Sequence, residues 1–399
     1  MNTKKLFFFA IAALGLAACS NDEVVETIAT SEANEINFRP LITNATRTAN
    51  STGVKESFET DDVINVYALY KSAKYFQDDF TKQAGETGFT SANPHYWPSD
   101  VTTNNVTFTA IWGATQTVGT AGNFTGYTPA AAAGSQKDIL VAKHTSATKE
   151  NPVLLNFRHT LSQIVVKAQN TNPNLKVTIT GVRIGYIKTA STNFTYSGEA
   201  TDTRELGTAN NAANVPQGDW TLVDFATELE GGHTYADDYK YTQDLTATST
   251  VLTSTTGATS INGFTSWILL PQNMKASTDT DTDGIVDYAN AKDGGVATDA
   301  PDLGGSYIAL EMQIENYDVA TTTATGVVIG KQWCYWPITT NWNPGYKYTY
   351  TIDVAGGGYM PTDTNNDKEL DPVFQGSVIV FSAACTIDEW DPQAVAIEN

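Results

Sequence analysis

The sequence predicts an all-β protein built from β-sandwich domains. Short runs rich in Val, Ile, Thr, Tyr and Phe recur along the chain, and Gly, Asn, Asp and Pro separate them. No long segment shows a clear 3.6-residue apolar period, which argues against helices as the main elements. At 399 residues the chain is longer than one hydrophobic core usually fills, so we expect two domains.

The first residues have the pattern of a bacterial lipoprotein signal. Lys4 and Lys5 precede an apolar run over residues 6–16, which is too short to cross a membrane. The run ends in LAAC (16–19), the pattern of a lipobox, in which the cysteine thiol takes the lipid. We therefore expect residues 1–18 to be a signal peptide and Cys19 to carry the lipid, palmitate included. An ordinary signal with an incidental cysteine is the alternative.

The segment after the signal combines a polar tether with an alternating strand. In EINFRPLI (35–42), Ile36, Phe38 and Ile42 fall on one face, and the polar residues fall on the other. Because Pro40 has no backbone N–H to donate, we expect this strand at the edge of a sheet. We call residues 35–42 the leader strand.

A small-residue loop, ITNATRTANSTGV (42–54), follows the leader strand and displays Arg47. Arginine is conspicuous there, because the chain holds 23 Lys and Arg against 44 Asp and Glu. Exposed loops of small polar residues are preferred sites of proteolysis. Arg47 precedes Thr48, whereas Arg39 precedes a proline that trypsin-like proteases tolerate poorly, so the bond between Arg47 and Thr48 is the candidate cleavage site.

Strand-like runs continue to the C-terminus. We predict strands within 62–70, 105–112, 138–142, 153–157, 162–168, 175–187, 266–271, 306–314, 325–338, 346–354 and 377–387. Regions 114–136 and 198–215 are rich in Ala, Gly, Thr and Asn and are predicted to be long surface loops. The expected organisation is a signal peptide (1–18), a tether with the leader strand (19–47), an N-terminal domain (48–158) and a C-terminal domain (159–399).

Charge and motifs exclude several classes of function. The net charge is −21 and no basic stripe exists, so nucleic acid is not an expected partner. The histidines are not spaced as metal ligands, and neither a nucleophile elbow nor a phosphate-binding loop occurs. His159 follows a strand and is interpreted as a hydrogen-bonded structural residue. We expect neither enzymatic activity nor a required cofactor.

One acidic stretch is a candidate calcium loop. In DTDTDGIVD (279–287) acidic residues alternate, and Gly284 permits a sharp turn, as in the first part of a calcium-binding loop. The glutamate expected at the twelfth position is replaced by Asn290. A calcium site and a solvated acidic loop therefore both stay open. The candidate ligands are Asp279, Asp281, Asp283 and Asp287.

Two cysteines remain once Cys19 is set aside. Cys334 and Cys385 both lie in strand-like segments, and an exported protein reaches an oxidising compartment. A disulfide between them and two separate buried thiols are the alternatives.

Several segments, taken in order, resemble the fimbrillin family of Bacteroidetes, the lipoprotein precursors of protease-assembled pili. They are HYWPSDVTTNNVTFTAIW (95–112), DILVA (138–142), VLLNFRHTLSQIVVKA (153–168), ILLPQ (268–272), NWNPGYKYTYTIDV (341–354) and TIDEWDP (386–392). The resemblance implies two transthyretin-like β-sandwich domains, cleavage after Arg47 by an arginine-specific surface protease, and polymerisation by strand exchange. The Asp-rich loop lies outside the pattern and resembles an insertion.

The resemblance implies a structural subunit of a cell-surface fimbrium that supports adhesion. Its partners would be other pilin subunits, the protease and, through the lipid before cleavage, the outer membrane; the mature form would lie in extracellular fimbriae. Burial of Ile36, Phe38 and Ile42 would stabilise the uncut precursor by roughly 5–9 kcal/mol. A pilus tip adhesin is one alternative. A surface glycan-binding lipoprotein is another, because 8 Trp and 18 Tyr could supply aromatic platforms.

Overall fold

The structure, a computed structural model, describes residues 34–41, 55, 57–114, 123–198, 218–224, 239–253, 257–275, 305–360 and 383–389, with side chains except for those of Leu41 and 383–389. These residues form strands and short 3-10 helices. The strands are β1 (Phe38–Leu41), β2 (Val63–Tyr70), β3 (Ala73–Lys82), β4 (Phe89–Thr90), β5 (Val106–Trp112), β6 (Phe124–Thr125), β7 (Leu140–Ser146), β8 (Val153–Asn156), β9 (Arg158–His159), β10 (Ser162–Gln169), β11 (Leu175–Gly185), β12 (Ser191–Tyr196), β13 (Gly218–Leu222), β14 (Lys240–Asp244), β15 (Thr250–Leu252), β16 (Thr259–Ser260), β17 (Trp267–Leu269), β18 (Tyr307–Asp318), β19 (Thr323–Pro337), β20 (Tyr346–Asp353) and β21 (Ala383–Glu389).

The N-terminal sheet has eight strands in the order β8-β1-β4-β3-β2-β5-β7-β9. It curls so that β7 and β8 also contact each other, and its concave face encloses one apolar core. Alternate residues supply that core: Ile64, Val66 and Ala68 on β2 are buried, as the period-2 pattern of VINVYALY requires. The sheet ends at β9, and β10 begins the next sheet. The division of domains between residues 158 and 159 stays a prediction.

Two five-stranded sheets form the C-terminal sandwich. One has the order β16-β10-β20-β21 with β17 added to β10, and the other has the order β14-β11-β18-β19 with β15 added to β11. A single apolar core lies between them, to which Ile164, Val166 and Ile352 contribute from one sheet and Val177 and Leu310 from the other. The prediction of an all-β chain of sandwich type is confirmed.

A β-bulge explains an irregular apolar pattern in the longest predicted strand. In LKVTITGVRIG, buried residues alternate through Val177 and Ile179 and then resume out of phase at Val182. The register against β18 shifts between Ile179 and Gly181, which inserts one residue and returns the later side chains to the core. A Cβ on Gly181 would lie 2.8 Å from the Trp333 indole, so a larger residue there would force the indole to move.

A third, three-stranded sheet, β13-β12-β6, joins the two halves of the chain. Its buried Phe124 and Phe194 pack in a core with Ile111 and Val141 from the back of the N-terminal sheet and with Ile268 from the C-terminal sandwich. The expectation that 114–136 is a surface loop is therefore wrong at Phe124, which is buried. The aromatic ring drives that burial despite polar neighbours in sequence.

Candidate functional site

The leader strand lies inside the N-terminal sheet. β1 runs parallel to β8 over four pairs, from Phe38 opposite Val153 to Leu41 opposite Asn156, and it pairs antiparallel with β4 through Phe38 and Phe89. The expected position at a sheet edge is therefore wrong.

The backbone geometry explains why Pro40 is tolerated there. In a parallel pair, alternate residues direct both backbone groups toward one neighbour. The amide of Val153 donates to the carbonyl of Asn37 at 2.8 Å, so Asn37 and Arg39 bond toward β8, while Phe38 and Pro40 face β4. Because β4 pairs with β1 only at Phe38, the missing N–H of Pro40 removes no ladder hydrogen bond.

The apolar face of the leader strand completes the N-terminal core. Ile36 is 1% exposed and Phe38 is 0% exposed, whereas Arg39 is exposed on the opposite face. The Phe38 ring lies edge-on to Phe80 at 4.8 Å and to Phe108 at 5.2 Å between centroids. Removing this strand would open a cavity in the centre of an aromatic cluster.

Backbone hydrogen bonds hold the start of the leader strand. The amide of Ile36 donates to the carbonyl of His95 at 2.7 Å, and the amide of Trp97 donates to the carbonyl of Asn34 at 2.9 Å. The Lys149 ammonium donates to Oδ1 of Asn34 at 2.8 Å. The loop before β5, which contains His95 and Trp97, thus fixes the point at which the leader strand enters the sheet. We call this loop the clamp.

A carboxylate fixes the His95 side of this clamp. Oδ2 of Asp78 accepts hydrogen bonds from Ser91 at 2.6 Å and Asn93 at 3.2 Å and lies 2.9 Å from Nε2 of His95, whose ring stacks on Phe76 at 4.0 Å. Burial raises the pKa of Asp78, but the hydrogen bonds from Ser91, His95 and Asn93 outweigh it and lower the pKa from 3.8 to about 2. Asp78 is therefore ionised at neutral pH.

A second anchor holds the chain just after the loop that carries Arg47. The Lys55 amide donates to the buried carboxylate of Asp138 at 3.2 Å, and Nδ1 of His159 lies 2.6 Å from the same oxygen. The Lys55 ammonium pairs with Asp62 at 2.6 Å and lies 5.0 Å from the centre of the Trp112 ring. His159 is thus a hydrogen-bonded residue of the fold, and its carboxylate partner also fixes the chain after the loop.

Most of the remaining sequence-predicted site residues lie outside the described part of the chain. They are Cys19, Ile42, Arg47, Thr48, Asp279, Asp281, Asp283 and Asp287. Lipidation, cleavage and calcium binding therefore stay predictions. Among the described residues, no group of three or more His, Cys, Asp or Glu is placed to hold a metal ion, and no helix there is long and apolar enough to cross a membrane.

The two cysteines lie on different sheets of the C-terminal sandwich. Cys334 on β19 is buried, and burial raises the pKa of its thiol to about 12. Cys385 lies on β21 opposite Tyr350, and its side chain is outside the described residues. The disulfide stays a prediction.

The last strand-like run belongs to the C-terminal sandwich of the same chain. β21 pairs antiparallel with β20 over seven residue pairs, from Tyr346 opposite Glu389 to Ile352 opposite Ala383. These residues are therefore already paired within the chain.

Sequence reasoning missed both anchors of the leader segment. His95 and Trp97 lie in HYWP (95–98), which carried part of the family resemblance but received no role. Their partners in the leader are about sixty residues away in sequence, and Asp138 is 83 residues from Lys55. No local pattern encodes such pairs, although the clustering of aromatic residues around HYWP was a visible signal.

Comparison with known proteins gives a family. A model described as fimbrillin-like matches residues 43–370. No curated protein sequence matches the chain significantly. Among solved structures, a fimbrial protein from Bacteroides vulgatus is 13% identical with a TM-score of 0.49, covering 90% of this chain and 99% of that one.

The structure of a candidate cell adhesion protein from Bacteroides uniformis is 16% identical with a TM-score of 0.41, covering 90% of this chain and 98% of that one. Neither structure is similar enough to this chain to indicate its function, so the family assignment rests on the fimbrillin-like match. That match spans most of the chain, from β2 to β20, and leaves out the leader strand. The chain therefore belongs to the fimbrillin-like family and is a structural subunit of a cell-surface pilus that assembles with other pilin subunits.

Proposed function

We propose that the chain is exported as a lipoprotein through Cys19, is cleaved after Arg47 by an arginine-specific surface protease, and then polymerises when a strand from another subunit replaces the leader strand. The precursor is held at the outer membrane by its lipid, and the mature form lies in extracellular fimbriae. The role is structural and supports adhesion. The observation that carries the proposal is the position of the leader strand. Its apolar side chains complete the core of the N-terminal sheet, yet cleavage after Arg47 would separate it from the rest of the chain.

The surroundings of the leader strand suit an exchange. Its departure would uncover the β8 backbone over Val153–Asn156, whose Val153 and Leu155 side chains are 0% exposed. It would also leave a cavity beside Phe80 and Phe108. An unpaired strand edge above an apolar groove is the usual acceptor for an added strand, because backbone hydrogen bonds supply affinity and pockets select alternate side chains.

The energetics explain why cleavage would matter. Burial of Ile36 and Phe38 contributes roughly 3–6 kcal/mol, taking about 1.5–3 for each side chain. While the loop at 42–54 is intact, the leader strand is tethered beside its groove at a high effective concentration, which an incoming strand cannot match. Cleavage after Arg47 removes the tether, so a donor strand with comparable apolar contacts can compete.

The two anchors lie on opposite sides of the loop that carries Arg47. Ile36 and Asn34 lie before Arg47 and are held by a few backbone hydrogen bonds. Lys55 lies after it and is held by Asp138 and Asp62, and Phe58 nearby packs against Phe89 at 5.1 Å. Cleavage would thus free the leader while the new N-terminal segment keeps its attachment to the sheet from residue 55 onward.

The donor strand is proposed to lie beyond Pro392. The tail QAVAIEN (393–399) offers only Val395 and Ile397 on one face. The alternative is a tip subunit, which accepts a strand and donates none. A stalk subunit and a tip subunit differ in one measurable respect, which is whether removal of the tail shortens the polymer.

The test compares three forms of the lipidated precursor under an arginine-specific protease. The wild type should lose residues up to Arg47 and form ladders on denaturing gels, Arg47→Ala should stay uncut and monomeric, and Arg39→Ala should behave as the wild type. Deletion of 393–399 should leave cleavage intact and shorten the ladders of a stalk subunit. Assembly of the Arg47→Ala variant would show that cleavage is not the trigger. Unchanged ladders after the deletion would show that the tail donates no strand, as in a tip subunit or in a stalk subunit whose donor lies elsewhere.

A further inference from the structure

A cleft of about 310 Å³ opens where the three-stranded sheet meets the C-terminal sandwich. Its walls come from four parts of the chain: Lys188 before β12, β13, the segment after β17, and the segment before β20. That volume is at the small end of the roughly 300–1,000 Å³ typical of ligand sites, and it suits a mono- or disaccharide. Its lining includes Asp219, Trp220, Gln272, Asn273, Trp342 and Asn343.

Trp220 gives the cleft a fixed aromatic surface. Its indole N–H donates to the carbonyl of Thr160 at 2.8 Å, and its ring lies edge-on to Phe124 and Phe194, each at 5.1 Å. The side chain is half-buried, so part of the ring is left to the cleft. A ring held in this way stacks against an apolar ligand face with little loss of conformational entropy.

The walls around Trp220 are also held in place. The Gln272 amide donates to the Lys188 carbonyl at 3.0 Å and accepts from the Lys188 amide at 2.7 Å. The backbone amide of Trp342 donates to the Gln272 carbonyl at 2.8 Å, and that of Asn343 donates to the Tyr348 hydroxyl at 2.7 Å. Gln272 is therefore part of the frame, and its polar atoms are already used.

Three polar side chains at the cleft are left for a ligand. Asp219, Asn273 and Asn343 are exposed, and the side chain of each lacks a hydrogen-bond or ion-pair partner among the described residues. Lys188 differs, because its ammonium pairs with Asp224 at 2.7 Å. The available groups are thus one carboxylate acceptor and two amides, each of which can donate and accept.

We propose that this cleft binds a neutral saccharide. A sugar ring presents C–H groups on one face, which stack on an indole, and hydroxyls around its rim, which match amide and carboxylate groups. Among the described lining residues, Lys188 is neutralised by Asp224 and Asp219 carries a charge without an ion-pair partner. Because the chain also carries a net charge of −21, acidic sugars should be repelled. This binding activity goes beyond the assembly of a pilus and does not depend on it.

The test uses the folded precursor without its signal peptide on an array of neutral and sialylated oligosaccharides, both mucin-type and plant cell-wall. Calorimetry then follows with the strongest neutral binder. Trp220→Ala and Asp219→Ala should each weaken binding by roughly tenfold, the scale of one aromatic contact or one charge-assisted hydrogen bond. Glu86→Ala is the matched control, since Glu86 is an exposed carboxylate in a turn of the N-terminal sheet, away from the cleft.

Each outcome decides the matter. The proposal is supported if the wild type and the Glu86→Ala control bind neutral glycans selectively and both cleft variants lose that binding. The absence of any neutral binder, or equal affinity in wild type and Asp219→Ala, overturns it, and preference for sialylated glycans overturns the charge argument. Because Trp220 also packs against Phe124, its variant counts only if its melting curve matches the wild type; Asp219→Ala changes an exposed side chain and serves as the independent test.

Discussion

Truncation of Phe38 tests whether the leader strand is part of the N-terminal core. The side chain is 0% exposed and contacts Phe80 and Phe108 edge-on. Phe38→Ala removes about 1.5–3 kcal/mol of transfer free energy and leaves a cavity that the close-packed aromatic neighbours fill only partly. We therefore expect the free energy of unfolding of the precursor to fall by about 3–5 kcal/mol, against a usual total of roughly 5–15.

The assay is urea unfolding of the precursor that begins at Ser20, with hydrogen exchange as a local probe. At the usual slopes, the urea midpoint should fall by about 1 M or more. The amide of Val153 donates to Asn37, so its exchange should accelerate with the same substitution. Arg39→Ala, on the exposed face of the same strand, is the control and should change stability by less than about 0.5 kcal/mol.

Two results would refute this reasoning. A loss below about 1 kcal/mol for Phe38→Ala would mean that the core closes without the leader side chain. An equal loss for Arg39→Ala would mean that the effect is not specific to the buried face of the strand. In either case the argument that a donor strand has to supply an aromatic or large aliphatic side chain at this point would fail.

Three further predictions follow from the clamp, the lipobox and the acidic loop. Because the pKa of Asp78 is lowered from 3.8 to about 2, its stabilisation is complete above about pH 4 and is lost as the pH falls toward 2; Asp78→Asn should flatten this part of the pH–stability curve, and an unchanged curve would contradict it. Cys19→Ala should abolish labelling with palmitate, and persistent labelling would reject the lipidation site. Calcium should raise the melting temperature of the wild type but not of Asp281→Ala, with affinity near 10⁻⁴–10⁻³ M; identical curves with calcium and with chelator would exclude the site.

The strands with an apolar period could be predicted from the sequence, because burial of alternate side chains is a local signal. VINVYALY and YKYTYTID lie in strands within a residue or two of the expected bounds. The sequence did not predict β3 (AKYFQDDFTK). Its charged residues interrupt the apolar pattern, although two aromatic side chains, Phe76 and Phe80, are buried. Its strand conformation comes from pairing with β2, which the sequence of β3 alone does not reveal.

The error at Pro40 has a specific cause. Proline excludes a hydrogen bond on one side only, and the neighbour on that side, β4, is two residues long. Neither the length of β4 nor the parallel register with β8 is encoded near residue 40. The cleft around Trp220 could not be predicted either, because its walls come from segments about 30 to 70 residues apart in sequence that share no motif.

The core shared by the three sheets has a mechanical consequence. Domains joined by a flexible linker absorb a pull by swinging about the joint. Here Ile111 and Val141 pack with Ile268, and the Tyr196 hydroxyl donates to the carbonyl of Ala110 at 3.0 Å. Close-packed interiors transmit strain, so a load applied at the N-terminal sheet reaches the C-terminal sandwich directly. We therefore expect a pilus of such subunits to yield under tension first at the contacts between subunits.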